Sequence, residues 1–157
     1  MRVIAIDPGY DRMGVAIIDR SPLRKDSLLF SDCLTTVKGD DFYVRLHSLG
    51  TTLEKLIAKW KPTHLAFERL FFAKNQKTAI AVAEVRGMIG YIAEKHGLTI
   101  CEYTPVQIKS AVAGHGQADK RQVAQMVTAL LQLAKKTRLD DEYDAIAIGL
   151  TCTASEQ

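Results

Sequence analysis

VIAIDPGYDRMGVAIID, residues 3–19, decides the fold. Residues 3–6 are apolar and, apart from Ala5, β-branched, which marks a buried strand. Asp7-Pro8-Gly9 stops that run, because proline fixes the backbone and glycine permits a tight turn. Residues 14–19 form a second apolar run, close enough to fold back on the first as a hairpin. Asp7 is therefore a carboxylate at the end of a buried element. An Asp before Pro-Gly is also ordinary turn chemistry, so on its own it does not settle a function.

Working outward, residues 27–37 read as a third strand that ends at Lys38-Gly39-Asp40-Asp41. Leu46, Leu49, Leu53, Leu56, Ile57 and Trp60 follow the helical period, and Pro62 ends that helix. Residues 63–68 read as a fourth strand. Residues 76–96 read as a long Ala-rich helix with Gly97 as its stop. Residues 98–103 make a fifth strand. After it come short helical segments near 106–112, a Gly114-His115-Gly116 loop, a helix over about 119–133 and a last helix over about 141–155. Three consecutive strands suit an antiparallel meander, and strands alternating with helices suit parallel pairing. The expected fold is α/β: one domain, residues 1–157, with a mixed five-stranded sheet (three antiparallel strands, then two parallel) flanked by helices.

The composition is that of an ordinary globular chain: 157 residues, 47% hydrophobic, 25% charged and a net charge of only +3. The charge is unevenly spread. Residues 103–138 carry six Lys or Arg against Asp119 alone, whereas residues 139–157 carry five acids and no base. A basic stretch beside an acidic cluster suits an enzyme that grips a polyanion and holds metal, although solvated helix faces give the same pattern. Cys33, Cys101 and Cys152 are odd in number and far apart, which points to a reducing cytoplasm and against a zinc site or a disulfide framework. The start of the chain does not read as a signal peptide, and no apolar stretch reaches the roughly 20 residues that span a bilayer.

Three further acids share the placement of Asp7. Glu68 ends the run Leu65-Ala66-Phe67, and Asp141 and Asp144 open the run 145–148. In the expected topology the first strand is central and the fourth pairs beside it, so Asp7 and Glu68 end adjacent parallel strands, where open α/β sheets bind ligands. Asp141 and Asp144, three apart, share a helix face, with Asp140 a plausible N-cap. Four clustered carboxylates raise one another's pKa unless cations intervene. Two Mg²⁺ ions fit that need and point to phosphodiester hydrolysis.

IDPGYDRMGVAIID resembles the first hairpin of the RuvC family of Holliday-junction resolvases. LAFERLFFAKN is similar to that family's second catalytic segment, and QIKSAVAGHGQADKRQVAQM with DDEYDAIAIG to its closing region. The resemblance runs through nearly the whole chain and implies a ribonuclease H-like fold. It also implies a homodimeric crossover junction endodeoxyribonuclease that makes paired symmetric nicks in four-way DNA junctions. Mg²⁺ would be the cofactor, two per site, with Mn²⁺ as a substitute, and a branch-migration helicase complex would be a partner. Asp7, Glu68, Asp141 and Asp144 would be the catalytic and metal-binding acids, with Asp140 in place of Asp141 as an alternative register. Phe71, Lys74, Lys109, Lys120 and Arg121 would contact DNA. Phe71 could equally cap the core, and each Lys could be a solvated helix residue. His115 reads as a loop residue. Residues 76–96 would form the dimer helix, and Gly87 and Gly90 allow close backbone approach either between subunits or within one.

Two rival readings share parts of this pattern. One is a nuclease of the same fold that processes ribosomal RNA, and the other is a junction-binding module without catalysis. Clustered acids facing phosphate argue against the second, since a pure binder gains nothing from them.

Overall fold

The structure, a computed structural model, describes residues 1–23, 25–69, 76–134 and 138–156. Five strands, β1 (Arg2–Asp7), β2 (Arg12–Arg20), β3 (Asp26–Thr35), β4 (His64–Glu68) and β5 (Thr99–Tyr103), form one sheet in the order β3-β2-β1-β4-β5. β1 and β2 pair antiparallel, as do β2 and β3, whereas β1–β4 and β4–β5 are parallel. This is the mixed sheet expected from the order of elements.

Strand alternation splits the apolar residues between two layers. Val3, Ala5, Ala16, Ile18 and Ala66 face one side and pack with Ile146, Ile148 and Cys152 of α5 (Asp140–Ser155). Ile108 and Val112 of α3 (Pro105–Ala113) and Val123 and Val127 of α4 (Lys120–Leu130) complete that layer. Ile4, Ile6, Val15, Ile17, Leu65 and Phe67 face the other side. They pack with Leu49, Leu53 and Ile57 of α1 (Phe42–Trp60) and with Val85, Ile89 and Ile92 of α2 (Gln76–Lys95).

The helix ends follow local chemistry. Asp41 caps α1 by accepting from the Tyr43 amide, and Lys61 closes it in the left-handed region just before Pro62. Thr104 with Gln107, and Asp119 with Gln122, form reciprocal capping boxes that start α3 and α4.

Three boundaries depart from the sequence reading. β3 ends at Thr35, two residues earlier than expected. α4 ends at Leu130: Gln132 takes φ 50°, and Leu131 and Leu133 reach the core through a turn instead of a further helical turn. Asp140 is not the N-cap of α5. Leu139 holds that position with no side-chain cap bond, and Asp140 lies in the first turn.

Candidate metal-dependent active site

Strand parity places the first two acids. Asp7 continues the alternation of Val3 and Ala5, and Glu68 that of Ala66, so both side chains face the α5 layer. The β1–β4 ladder ends at Ile6 and Phe67, which sets the two acids at neighbouring strand ends. Gly9 makes the turn after Asp7 possible, because a Cβ there would lie 2.1 Å from the Arg12 carbonyl oxygen.

α5 brings the second pair. Asp7, Glu68 and Asp144 line one cleft of about 380 Å³ together with Lys109, Lys120, Pro105, Ile108 and Val123. The capping box at Asp119 fixes the start of α4, and Lys120 in its first turn donates to Asp144 at 2.9 Å. Asp141 stands one turn earlier on α5. It is not a lining residue of the cleft but pairs with Arg12 at 3.3 Å and lies 3.9 Å from the Cys33 sulfur.

The charges are concentrated enough to alter protonation. Burial first, and then the charges of Asp144, Glu68 and Asp141, push the Asp7 carboxyl up to about 7. Glu68 is raised by burial and by Asp144, with Lys120, Lys109 and Arg86 acting against the shift. Lys120 is raised mainly by its hydrogen bond to Asp144. The exposed Asp140 acts on Lys120 and is absent from the charges bearing most on Asp7.

The donor set fits divalent metal chemistry. All four groups are hard oxygen ligands, and Asp7 sits in an excess of negative charge that a cation would relieve. Among the described residues no three such groups converge as a closed cage; Lys120 pairs with Asp144 and Arg12 with Asp141.

Residues 3–152 match the family model described as crossover junction endodeoxyribonuclease RuvC. The chain belongs to the RuvC family. A RuvC from Moorella thermoacetica is 42% identical over 155 residues, covering 99% of this chain and 92% of the relative. One from Thermosipho melanesiensis is 40% identical over 156 residues, covering 99% and 98%. The structure of Thermus thermophilus RuvC in complex with a Holliday junction substrate superposes with a TM-score of 0.89 at 31% identity, covering 96% of this chain and 92% of that one.

Within this RuvC fold the residues expected from sequence divide clearly. Asp7, Glu68, Asp144, Lys109 and Lys120 meet in the cleft, and Asp141 borders it. Arg121 is exposed beside Lys120. Phe71 and Lys74 lie outside the described residues. Sequence reasoning missed Arg12, Arg45, Arg86 and Glu102, all tied to the loops and strand ends that carry the acids. Arg86 left a trace, as the one basic residue between Lys77 and Lys95 in an Ala- and Ile-rich helix.

Among the described residues no helix is long and apolar enough to cross a membrane.

Proposed function

We propose that residues 1–157 form one ribonuclease H-like nuclease domain that resolves four-way DNA junctions by paired, symmetric phosphodiester hydrolysis. One observation carries this reading. The carboxylates of Asp7, Glu68 and Asp144 share a cleft with the ammonium groups of Lys109 and Lys120, so ligands for a metal and partners for a phosphate face one space. Family membership supports a metal-dependent nuclease.

Asp7, Glu68, Asp141 and Asp144 would hold two Mg²⁺ ions, with Mn²⁺ as a substitute. When bound, such ions supply an activated water and stabilise the leaving oxygen. The protein's share is electrostatic and positional. Lys109 and Lys120 draw the scissile phosphate to the cleft and offset charge developing on it. Arg121, next to Lys120 on α4, extends this basic edge, and Phe71 and Lys74 complete the proposed DNA-contacting set. Asp141, which pairs with Arg12, would be the fourth of these ligands.

A symmetric substrate calls for a symmetric enzyme, and α2 suits the role of dimer helix. Among the described residues nothing lies within 4 Å of a Cβ added at Gly87 or Gly90, which leaves that helix face open to a second backbone. Free cysteines and the lack of a membrane-crossing helix among the described residues support a cytoplasmic location.

The test is cleavage of a labelled synthetic four-way junction in Mg²⁺, beside linear duplex and an RNA–DNA hybrid, with Asp7→Asn in parallel. Paired nicks in the junction alone, lost in the variant while binding persists, are expected. Cleavage of the hybrid with an untouched junction would transfer the chain to RNA processing. Binding without cleavage in either metal would leave a junction-binding module.

A further inference from the structure

Glu68 is the last residue of β4 and is paired with Tyr103 of β5, but it has no partner on β1. The β1–β4 ladder stops one residue before it, at Ile6 and Phe67. Its carboxylate faces the cleft on the α5 side, so α1 and α2 lie on the opposite side of the sheet. The β5 ladder holds that strand end on one side only, and a further contact on it would sharpen the placement of the carboxylate.

Arg86 of α2 meets this need from behind. Its Nη1 donates to the backbone carbonyl of Glu68. Its guanidinium stacks on the Phe67 ring, 4.5 Å from the centroid. Its Nη2 lies 3.3 Å from one carboxylate oxygen of Glu102 on β5, and the other oxygen lies 3.4 Å from Arg69 Nε. The Arg69 amide in turn donates to the Tyr103 carbonyl at 2.8 Å. The Arg86 side chain is only 16% exposed, a costly place for a charge unless it is fully engaged. A planar, forked cation can serve a carbonyl, a ring face and a carboxylate at once, and lysine cannot.

We infer that Arg86 is a positioning residue for Glu68, acting through the backbone carbonyl, with Glu102 holding the guanidinium in register. It is not among the residues that line the cleft of Asp7, Glu68 and Asp144. The inference rests on the reading of Glu68 as a catalytic acid. Because Arg86 belongs to the proposed dimer helix, the same contact ties the acid's position to the helix that pairs two subunits.

The test compares full-length wild type with Arg86→Met, Arg86→Lys, Glu102→Gln and Glu68→Gln. Four quantities are measured: single-turnover junction cleavage at saturating protein, Mn²⁺ binding without DNA by calorimetry, junction affinity in Ca²⁺, and sedimentation mass with circular dichroism. Arg86→Met retains an apolar stem over Phe67. It is expected to slow cleavage roughly 10–100-fold and to weaken Mn²⁺ binding by about 10-fold, as outer partners of metal ligands do. Junction affinity and mass should stay at wild-type values. Arg86→Lys should recover part of the cleavage rate, and Glu102→Gln should show a smaller loss of the same kind. If Arg86→Met does not fold, Glu102→Gln decides.

Wild-type cleavage and Mn²⁺ binding in the folded variant, beside an inactive Glu68→Gln, would overturn the inference alone. Fully active Glu68→Gln would overturn the reading beneath it. Equal losses in junction affinity and cleavage would identify Arg86 as part of the DNA surface and would also overturn the inference.

Discussion

Gly14 lies directly against the backbone of Asp141. A Cβ built on Gly14 would stand 1.8 Å from the Asp141 carbonyl oxygen and 3.3 Å from the Ala145 Cβ. Asp7 is the strand partner of Gly14, so one glycine sets how near the first turn of α5 comes to the end of β1. Backbone cannot yield as a side chain can. Gly14→Ala should therefore cost about 1–3 kcal/mol by overpacking. It should also move Asp141 and Asp144 away from Asp7, and about 1 Å of displacement is enough for a roughly 100-fold loss of cleavage. Thermal unfolding together with single-turnover cleavage checks this. A variant with a lowered melting temperature but full activity would show that the contact serves stability alone.

Loss of the Asp7 proton should make the metal-free protein less stable as pH rises. Its folded pKa is raised from the ordinary 3.8 to about 7, chiefly by burial and then by Asp144, Glu68 and Asp141. Between those values the native state holds a proton that the unfolded chain has lost. Stability is therefore greatest below the unfolded value and declines as pH rises through the folded one. The raised Glu68 adds in the same direction. In EDTA, Asp7→Asn should melt above wild type at pH 8 by roughly 1–3 kcal/mol, or about 3–10 °C for this chain length, and the gap should close towards pH 4. Mg²⁺ should raise the melting temperature of wild type more than that of the variant. A constant gap from pH 4 to 8 would remove the electrostatic explanation.

Arg45 should matter more for folding than any other charged residue on α1. It is buried, donates from Nε to Thr36 Oγ1 at 2.9 Å and from Nη2 to the Tyr10 carbonyl at 3.2 Å, pairs with Asp11, and lies 4.9 Å from the Tyr10 ring centroid. The turn after Asp7 is thus tied to α1. Arg45→Met keeps most of the apolar stem but strands these acceptors, which should cost on the order of 2–3 kcal/mol, or about 5–10 °C. Urea unfolding at constant ionic strength measures it. A change below about 0.5 kcal/mol, the usual range for surface substitutions, would show the network to be dispensable.

The order of apolar runs carried the sheet because β1, β2 and β4 are buried on both faces and α1 on one. Val3–Ile6 and Leu65–Phe67 therefore show continuous runs, and α1 shows a periodic stripe. Asp7, Glu68 and Asp144 could be read as a group because each interrupts or borders such a run. Arg12, Arg45 and Arg86 could not. Their roles arise from contacts 129, 34 and 18 residues away in sequence, with Asp141, Asp11 and Glu68 respectively, and an arginine in a helix or at a strand start has an ordinary solvated explanation. The start of α5 was misplaced for a related reason. Three successive acids offered Asp140 as a cap, but that helix begins one residue earlier, and its orientation is set by burial of residues 145–152.

Lys120 should have opposite effects on metal binding and on cleavage. Its ammonium lies 2.9 Å from Asp144, and the hydrogen bond to Asp144 is the main cause of its raised pKa. A metal at Asp144 must compete with that contact. The pair is well exposed on the lysine side, at 72%, so the competition amounts to about 1 kcal/mol at most. Lys120→Met should therefore tighten Mn²⁺ binding in the absence of DNA by about 3–5-fold. The same change removes a cation facing the phosphate, which should slow single-turnover cleavage of a four-way junction about 10–100-fold. Calorimetry without DNA and cleavage at saturating metal separate the two effects. Weaker Mn²⁺ binding in the variant would mean that Lys120 orients Asp144 for the metal. Unchanged cleavage would mean that Lys109 alone meets the phosphate.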